Sequence, residues 1–306
     1  MQIWYEGTDI TGDVIPSACT HKDVSHGKAD VLEIVFRRPA VWHRWEPETD
    51  DEIRVVGSNY DTGRMYVNTL VPEGDQFRLI ATSLNSKAAR KAWDNYREIE
   101  LSALLHRLAV ECGMEGAKIY GAEGGVKYPY LQRKNEGCAA FAERLCTLEG
   151  IALKAYDGAF RGIGIEYAQG RNASRRWTLD AEQDGVRYIH QPGRKYSAVT
   201  VKSPWAEATA KDTDAAKGSQ IILAGLPAMD QVTAGRWARG ILLSHNRQAD
   251  RLRITTTFDA GAVAMTKAEI NGNTGANGDW LIDEVEHDLY NERTTVNLLR
   301  VVDTVK

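Results

Sequence analysis

The chain has 306 residues, 43% of them hydrophobic, and its 38 basic against 42 acidic side chains leave a net charge of −4 with a pI near 6.0. That length can bury more than one core, while the acidic balance argues against a protein whose main work is to hold nucleic acid by neutralising phosphates. No run of about 18 apolar residues occurs, so no membrane span is expected, and the opening Met-Gln-Ile-Trp-Tyr-Glu lacks the basic and apolar regions of a secretory signal. The expectation is a protein made in a cytoplasm and soluble there.

Residues 1–84 read as short strands. The stretches 31–36, 52–56, 64–71 and 76–81 alternate or are β-branched, and His26-Gly27, Asp61-Thr62-Gly63 and Glu73-Gly74 separate them. This spacing predicts an antiparallel barrel or sandwich. Within it lies a Trp- and Arg-rich loop, 37–47, followed by the densest acidic run of the chain, Glu46, Glu48, Asp50, Asp51 and Glu52.

From residue 85 the period changes. Leu101, Leu104, Leu105, Leu108 and Cys112 recur at helical spacing before Gly113. A second helix is predicted with Asn135 as its cap, Cys138, Phe141, Leu145 and Leu148 as its stripe and Gly150 as its stop. Residues 151–156 and 159–167 then form a hairpin, because Asp157-Gly158 tolerates the positive φ angles of a type I′ turn. Residues 85–180 are expected to be a small α/β linking domain.

Strand pattern returns around 188–205, centred on 196–202. Residues 206–219, rich in Ala, Lys, Asp and Thr, read as a linker or exposed excursion. A third helix is predicted from Asp230 to about Asn246, burying Ala234, Trp237, Ala238 and Ile241. Residues 251–258 resume the strands, and the chain closes on two strands, 278–289 and 294–302, joined at Asn291-Glu292-Arg293. The expected organisation is mainly β with some α: an N-terminal barrel at 1–84, the α/β unit at 85–180, a second barrel from 181–204 and 250–306, and a peripheral insertion with a helix at 205–249.

Three segments resemble the late control protein D family, the baseplate or tail hub proteins of contractile-tailed phages and phage-tail-like bacteriocins. They are Leu101-Ser-Ala-Leu-Leu-His-Arg-Leu-Ala-Val-Glu-Cys-Gly113, the run from Asn135 through Asp157-Gly158, and the terminal Gly278-Asp-Trp-Leu-Ile-Asp-Glu-Val-Glu-His-Asp-Leu289 with Thr294-Thr-Val-Asn-Leu298. The resemblance implies two tube-type antiparallel β-barrels per chain, so that a homotrimer forms a pseudo-sixfold ring joining the tail tube to the central spike. It also implies a virion location in the tail or baseplate, with assembly in the host cytoplasm. The implied partners are the tail tube protein, the spike, and tape-measure and wedge or other baseplate proteins, with DNA only as passing cargo. A heterologous ring closes only if each interface repeats a fixed rotation, and two related modules per chain supply six such positions from three chains. The alternative is a tail-associated cell-wall hydrolase or carbohydrate-binding module.

The residues weigh against chemistry. His287 has Glu286 and Asp288 beside it, but strand neighbours point to opposite faces, so it reads as a packing residue. Gly121–Gly125 lacks the spacing of a phosphate loop. No nucleophile elbow, metalloprotease motif or calcium loop occurs. Cys19, Cys112, Cys138 and Cys146 form no Cys-x-x-Cys pair and are expected as reduced, buried small hydrophobes. No catalytic residue, metal or cofactor is predicted. Trp42, His43 and Trp45 are candidate interface residues, since Trp and Arg are enriched at protein contacts. Glu46, Glu48, Asp50 and Asp51 are candidate lumen-facing acids that would keep DNA from sticking.

Overall fold

The computed structural model describes residues 1–37, 45–57, 59–180, 185–215, 217–273 and 275–306. The first module contains β1 (Gln2–Tyr5), β2 (Thr8–Asp9), β3 (Ile15–Val24), β4 (Val31–Arg37), β5 (Glu52–Gly57), β6 (Tyr60–Asp61), β7 (Met65–Glu73) and β8 (Gln76–Thr82). Alternation decides its faces. On β4, Leu32, Ile34 and Phe36 are buried while Glu33 and Val35 point outward, and Leu79 and Phe77 of β8 meet them from the next strand. Ile3 and Tyr5 of β1 and Ile53 and Val55 of β5 enter the same core. Because they share that core with β4 and β8, β1 and β5 must fold over it, with β7 as the corner.

A central unit follows: β9 (Lys91–Glu100), α1 (Leu101–Glu111), β10 (Gly116–Tyr120), β11 (Lys127–Gly137), α2 (Cys138–Leu148), β12 (Ile151–Tyr156), β13 (Ala159–Gly164) and α3 (Ile165–Gly170). The chain continues through β14 (Arg175–Asp180), β15 (Arg187–His190), β16 (Tyr196–Lys202), β17 (Glu207–Lys211), β18 (Ser219–Ala224), α4 (Gln231–Asn246), β19 (Asp250–Thr257), β20 (Lys267–Asn273), β21 (Gly278–Asp288) and β22 (Arg293–Arg300). The β12–β13 turn puts Asp157 and Gly158 at φ 48° and 70°, as a type I′ turn requires. Asp230 caps α4 by accepting from the Thr233 amide at 2.8 Å. Asn135 does not cap α2. It sits at φ 52° in an irregularity of β11, a conformation Asn tolerates, and Gly137 precedes the helix instead.

The protein is mainly β, but strand pairing among the described residues closes no barrel. A single 14-stranded sheet runs β15-β19-β22-β21-β3-β4-β8-β7-β5-β1-β2, with β20 and β14 branching from β21 and β6 from β5. The two expected barrels are thus two separate cores, one around Leu32, Ile34 and Leu79 and one around Leu252, Trp280, Ile282 and Val296, joined by pairing of β21 with β3. The segment expected as a peripheral insertion is built into the central core. Residues 207–211, read from composition as linker, and 219–224, within the expected insertion, pair with β16 in a three-stranded sheet. Strand β16, expected in the second barrel, therefore belongs to this central sheet. Helix α4 lies on it and buries Trp237, Ala238 and Leu242 in one core with Leu104, Leu108, Phe141 and Leu145. Composition misled here because small Ala side chains let α4 approach β17 closely. Gly240 of α4 meets Leu148 and Gly150 with no room for a Cβ.

Cys112, at the end of α1, and Cys138, the first residue of α2, form a disulfide rather than two separate thiols, while Cys19 and Cys146 are free and buried. The two helices pack side by side, and their cysteine Cα atoms stand 6.3 Å apart, within bridging range. Among the described residues no helix is long and apolar enough to cross a membrane.

Candidate functional site

Two features stand out where the modules meet: an open polar face on the large sheet, and a buried charged cluster beside a cavity. The open face spans eight strands from β15 to β7 and crosses from one module to the other without a break in pairing. One side of this run buries the two cores. The other carries Arg253, Asn297 and Glu284, then Thr295, Glu286 and Lys22, then Glu33 and Arg78, in successive strands. Lys22 bridges Glu284 at 3.6 Å and Glu286 at 3.4 Å across the β3–β21 seam, and Arg78 bridges Glu33 at 3.5 Å. These exposed pairs contribute little stability, but they leave the face wet and of mixed charge. Among the described residues its two ends are partly open: β15 pairs only with β19, and β7, joined to β5 and the residues before it through Met65, Tyr66 and Val67, pairs with β8 alone over residues 69–73.

The charged cluster joins three parts of the chain. Strand β3 brings Asp23, the residue before β4 brings Asp30, β12 brings Lys154, and the segment between β19 and β20 brings the Ala264 amide. The Lys154 ammonium, its side chain 8% exposed, donates to Asp23 Oδ1 and to both oxygens of Asp30 at 2.9 and 2.7 Å. Asp23 Oδ2 accepts from the Ala264 N–H at 2.9 Å, and Asp30 Oδ1 accepts from the Val24 N–H at 2.9 Å. Burial pushes the Asp30 carboxyl up to about 6, even with Lys154 opposing it. Burial would also raise Asp23, but Lys154 outweighs it and holds that group below its ordinary value. Burial would lower Lys154, and the two carboxylates more than reverse that. Two carboxylates on one ammonium leave an excess negative charge in a site that water barely reaches.

Next to the cluster is a cavity of about 490 Å³ that Asp23, Asp30 and Lys154 share with His21, Tyr60 and Tyr156. His21, pushed down to about 3 by burial, is neutral and bonds the Tyr60 hydroxyl at 2.5 Å through Nδ1. His287 is fully buried between the Thr294 hydroxyl at 3.1 Å and the Ala262 carbonyl at 3.2 Å, and burial lowers its pKa. Since the Ala262 carbonyl can only accept, Nε2 carries the proton and both ring nitrogens are engaged. Glu286 points to the other face, toward Lys22. His287 is therefore held as a packing residue, away from the acids that flank it in sequence. Among the described residues no three His, Cys, Asp or Glu side chains are placed to share a metal ion.

Of the predicted interface residues, Trp42 and His43 lie outside the described residues. Trp45 is half-buried, its ring edge-on to Tyr5 at 6.2 Å. Of the predicted lumen acids, Glu46 and Glu48 are exposed. Asp50 and Asp51 instead organise their own loop. Asp50 accepts from the Ser86 amide at 2.7 Å and from its hydroxyl, and Asp51 accepts from the Tyr5 hydroxyl and from the Glu48 amide at 2.6 Å. Sequence reasoning missed the Lys154 cluster. Its one local signal is a lone Lys inside the otherwise apolar Ile151-Ala-Leu-Lys-Ala-Tyr156; nothing local pairs it with Asp23 or Asp30.

No protein-family model matches the chain, and no curated protein sequence matches it. Solved structures do. The 43 kDa tail protein of prophage MuSo2 from Shewanella oneidensis superposes with a TM-score of 0.71 at 11% identity, covering 98% of this chain and 97% of that one. The tail protein from Neisseria meningitidis MC58 gives 0.76 at 10% identity, covering 98% and 95%. An Escherichia coli component of the type VI secretion system, described as structurally similar to the T4 bacteriophage tail proteins gp27 and gp5, gives 0.60 at 9% identity, covering 99% and 78%. At these identities the likeness is one of fold: along nearly its whole length, the chain is folded like phage tail proteins.

Proposed function

We propose that this chain is a structural, non-enzymatic component of a phage-type tail: a late control protein D-like hub that assembles as a homotrimer and joins the tail tube to the central spike. The observation that carries this reading is the eight-stranded open face. Two modules lie side by side in one sheet, each with its own core, and among the described residues the eight-stranded run offers an unpaired edge along β15 at one end and along residues 68–73 of β7 at the other. Free edges are liabilities unless another strand covers them. Three chains meeting edge to edge would cover every one and make a six-module ring whose inner wall is the polar face. The mixed charges of that wall, and the exposed Glu46 and Glu48, suit a channel that DNA passes through without adhering. The whole-length likeness to tail proteins supports the same reading.

Mass photometry of the purified chain, alone and with candidate tail tube and spike proteins from the same genome, tests the proposal. The expected result is a species of three chains that binds both partners. A chain that stays monomeric at every concentration and binds neither would overturn it.

A further inference from the structure

We propose that Lys154 and Asp23 are joined by an intramolecular isopeptide bond, formed by the folded chain itself with Asp30 as the proton carrier. The inference does not depend on the tail reading. It rests on four features of the buried cluster. The Lys154 ammonium touches Asp23 Oδ1, so nucleophile and acyl group are already in contact. Asp30 grips the same nitrogen through both of its oxygens. The Ala264 N–H points at Asp23 Oδ2, where it stabilises the negative charge that develops on that oxygen during attack. The adjoining cavity, lined by all three side chains, receives the leaving water.

The step balances without any other reactant. Nζ passes a proton to Asp30 and attacks Cγ of Asp23, forming the C–N bond. The bond from Cγ to Oδ1 then breaks, and Oδ1 leaves as water carrying two protons that both began on Nζ and travelled through Asp30. Oδ2 becomes the amide oxygen, still accepting from Ala264, and the remaining amide N–H donates to Asp30. One ammonium and one carboxylate become a neutral amide and water; nothing is oxidised or reduced, and Asp30 ends in the state it started in.

The energetic logic favours the product. Before reaction the site buries three ionised groups with an excess negative charge, and each costs desolvation free energy. After reaction a single carboxyl remains; before it, burial already pushes that Asp30 carboxyl up to about 6, within reach of taking and returning protons near neutrality. The bond would tie β12 of the central unit to β3 of the first module, across the seam where the second module also docks.

Intact-mass spectrometry of the reduced, denatured wild-type chain tests this. The expected mass is lower than that of the sequence by one water, and a proteolytic map should contain one branched peptide joining Asp23 to Lys154. K154R keeps the positive charge but lacks a nucleophilic amine, and D30N removes the proton carrier; both should show the full sequence mass. D23N should lose one ammonia instead of one water and give the same branched peptide. A folded wild-type chain at full sequence mass would overturn the proposal whatever the variants do. So would a water loss that persists in K154R, which would mark a dehydration elsewhere, such as at Asp157-Gly158.

Discussion

Two of the buried charged clusters, one around Glu149 and one around Lys154, are built on opposite plans. At the first, Glu149 follows α2 and accepts from Arg236 Nε at 2.8 Å, Trp237 Nε1 at 2.7 Å and the Tyr128 hydroxyl at 2.5 Å. One carboxylate meets one guanidinium and two neutral donors, so charge and hydrogen bonds are both satisfied. That arrangement can only clamp: it fixes α4 against α2 and β11. At the second, one ammonium serves two carboxylates, and one of those carboxyls titrates near 6. A satisfied network has nothing left to do, whereas an unbalanced one keeps a nucleophile, an acyl group and a proton carrier in contact.

Substitutions can break this contrast in a graded way. K154M should be the most damaging, about 4–5 kcal/mol, because it strands two buried carboxylates without a cation; chemical denaturation monitored by circular dichroism reads this. W237A should follow at about 3–5 kcal/mol, the cost of removing a buried Trp from the core that α4 shares with α1 and α2. E149Q keeps the shape of the clamp but discharges it, leaving Arg236 unpaired, and should cost about 2–3 kcal/mol by the same measurement.

The pH dependence separates the neighbourhood of the second cluster from that of the first. His21 beside Asp23 is held neutral by burial, with its folded pKa near 3, below the unfolded value of 6.5. Its stabilisation is present above the unfolded pKa and is lost as the pH falls through the window from 6.5 toward 3. H21Q should therefore flatten the acid limb of the stability curve, by about 1.4 kcal/mol per pH unit at most. The smallest effect is expected in the acidic loop. D50A should cost about 1 kcal/mol, since it removes the acceptor for the Ser86 amide and hydroxyl.

The sequence shows where elements lie better than where they meet. The β4 alternation, the α1 and α2 stripes, the Asp157-Gly158 turn and the Asp230 cap all depend on residues within one turn or one strand, and each is legible. The burial of His287 is legible too, because strand alternation separates it from Glu286 and Asp288. What escapes is long-range. The pairing of His21 with His287 across β3 and β21 joins residues from opposite ends of the chain, and that seam turns two expected barrels into one sheet. Residues 206–219 read as linker because their Ala and Thr carry little hydrophobic signal, yet small side chains are what the close approach of α4 requires. Asp23, Asp30 and Lys154 are scattered, and only the fold makes them a cluster. Of the predicted site residues, Asp50 and Asp51 show the same limit: the four acids divide in space into two exposed ones and two that brace a loop.

In the proposed assembly, three of these chains make one ring from six modules. Electron microscopy of the purified assembly, averaged end-on, tests it most directly. The expected image has six lobes around an open channel in a particle of about 102 kDa, three times the 34.0 kDa chain. Averages showing an isolated chain, or a closed assembly without a channel, would contradict it.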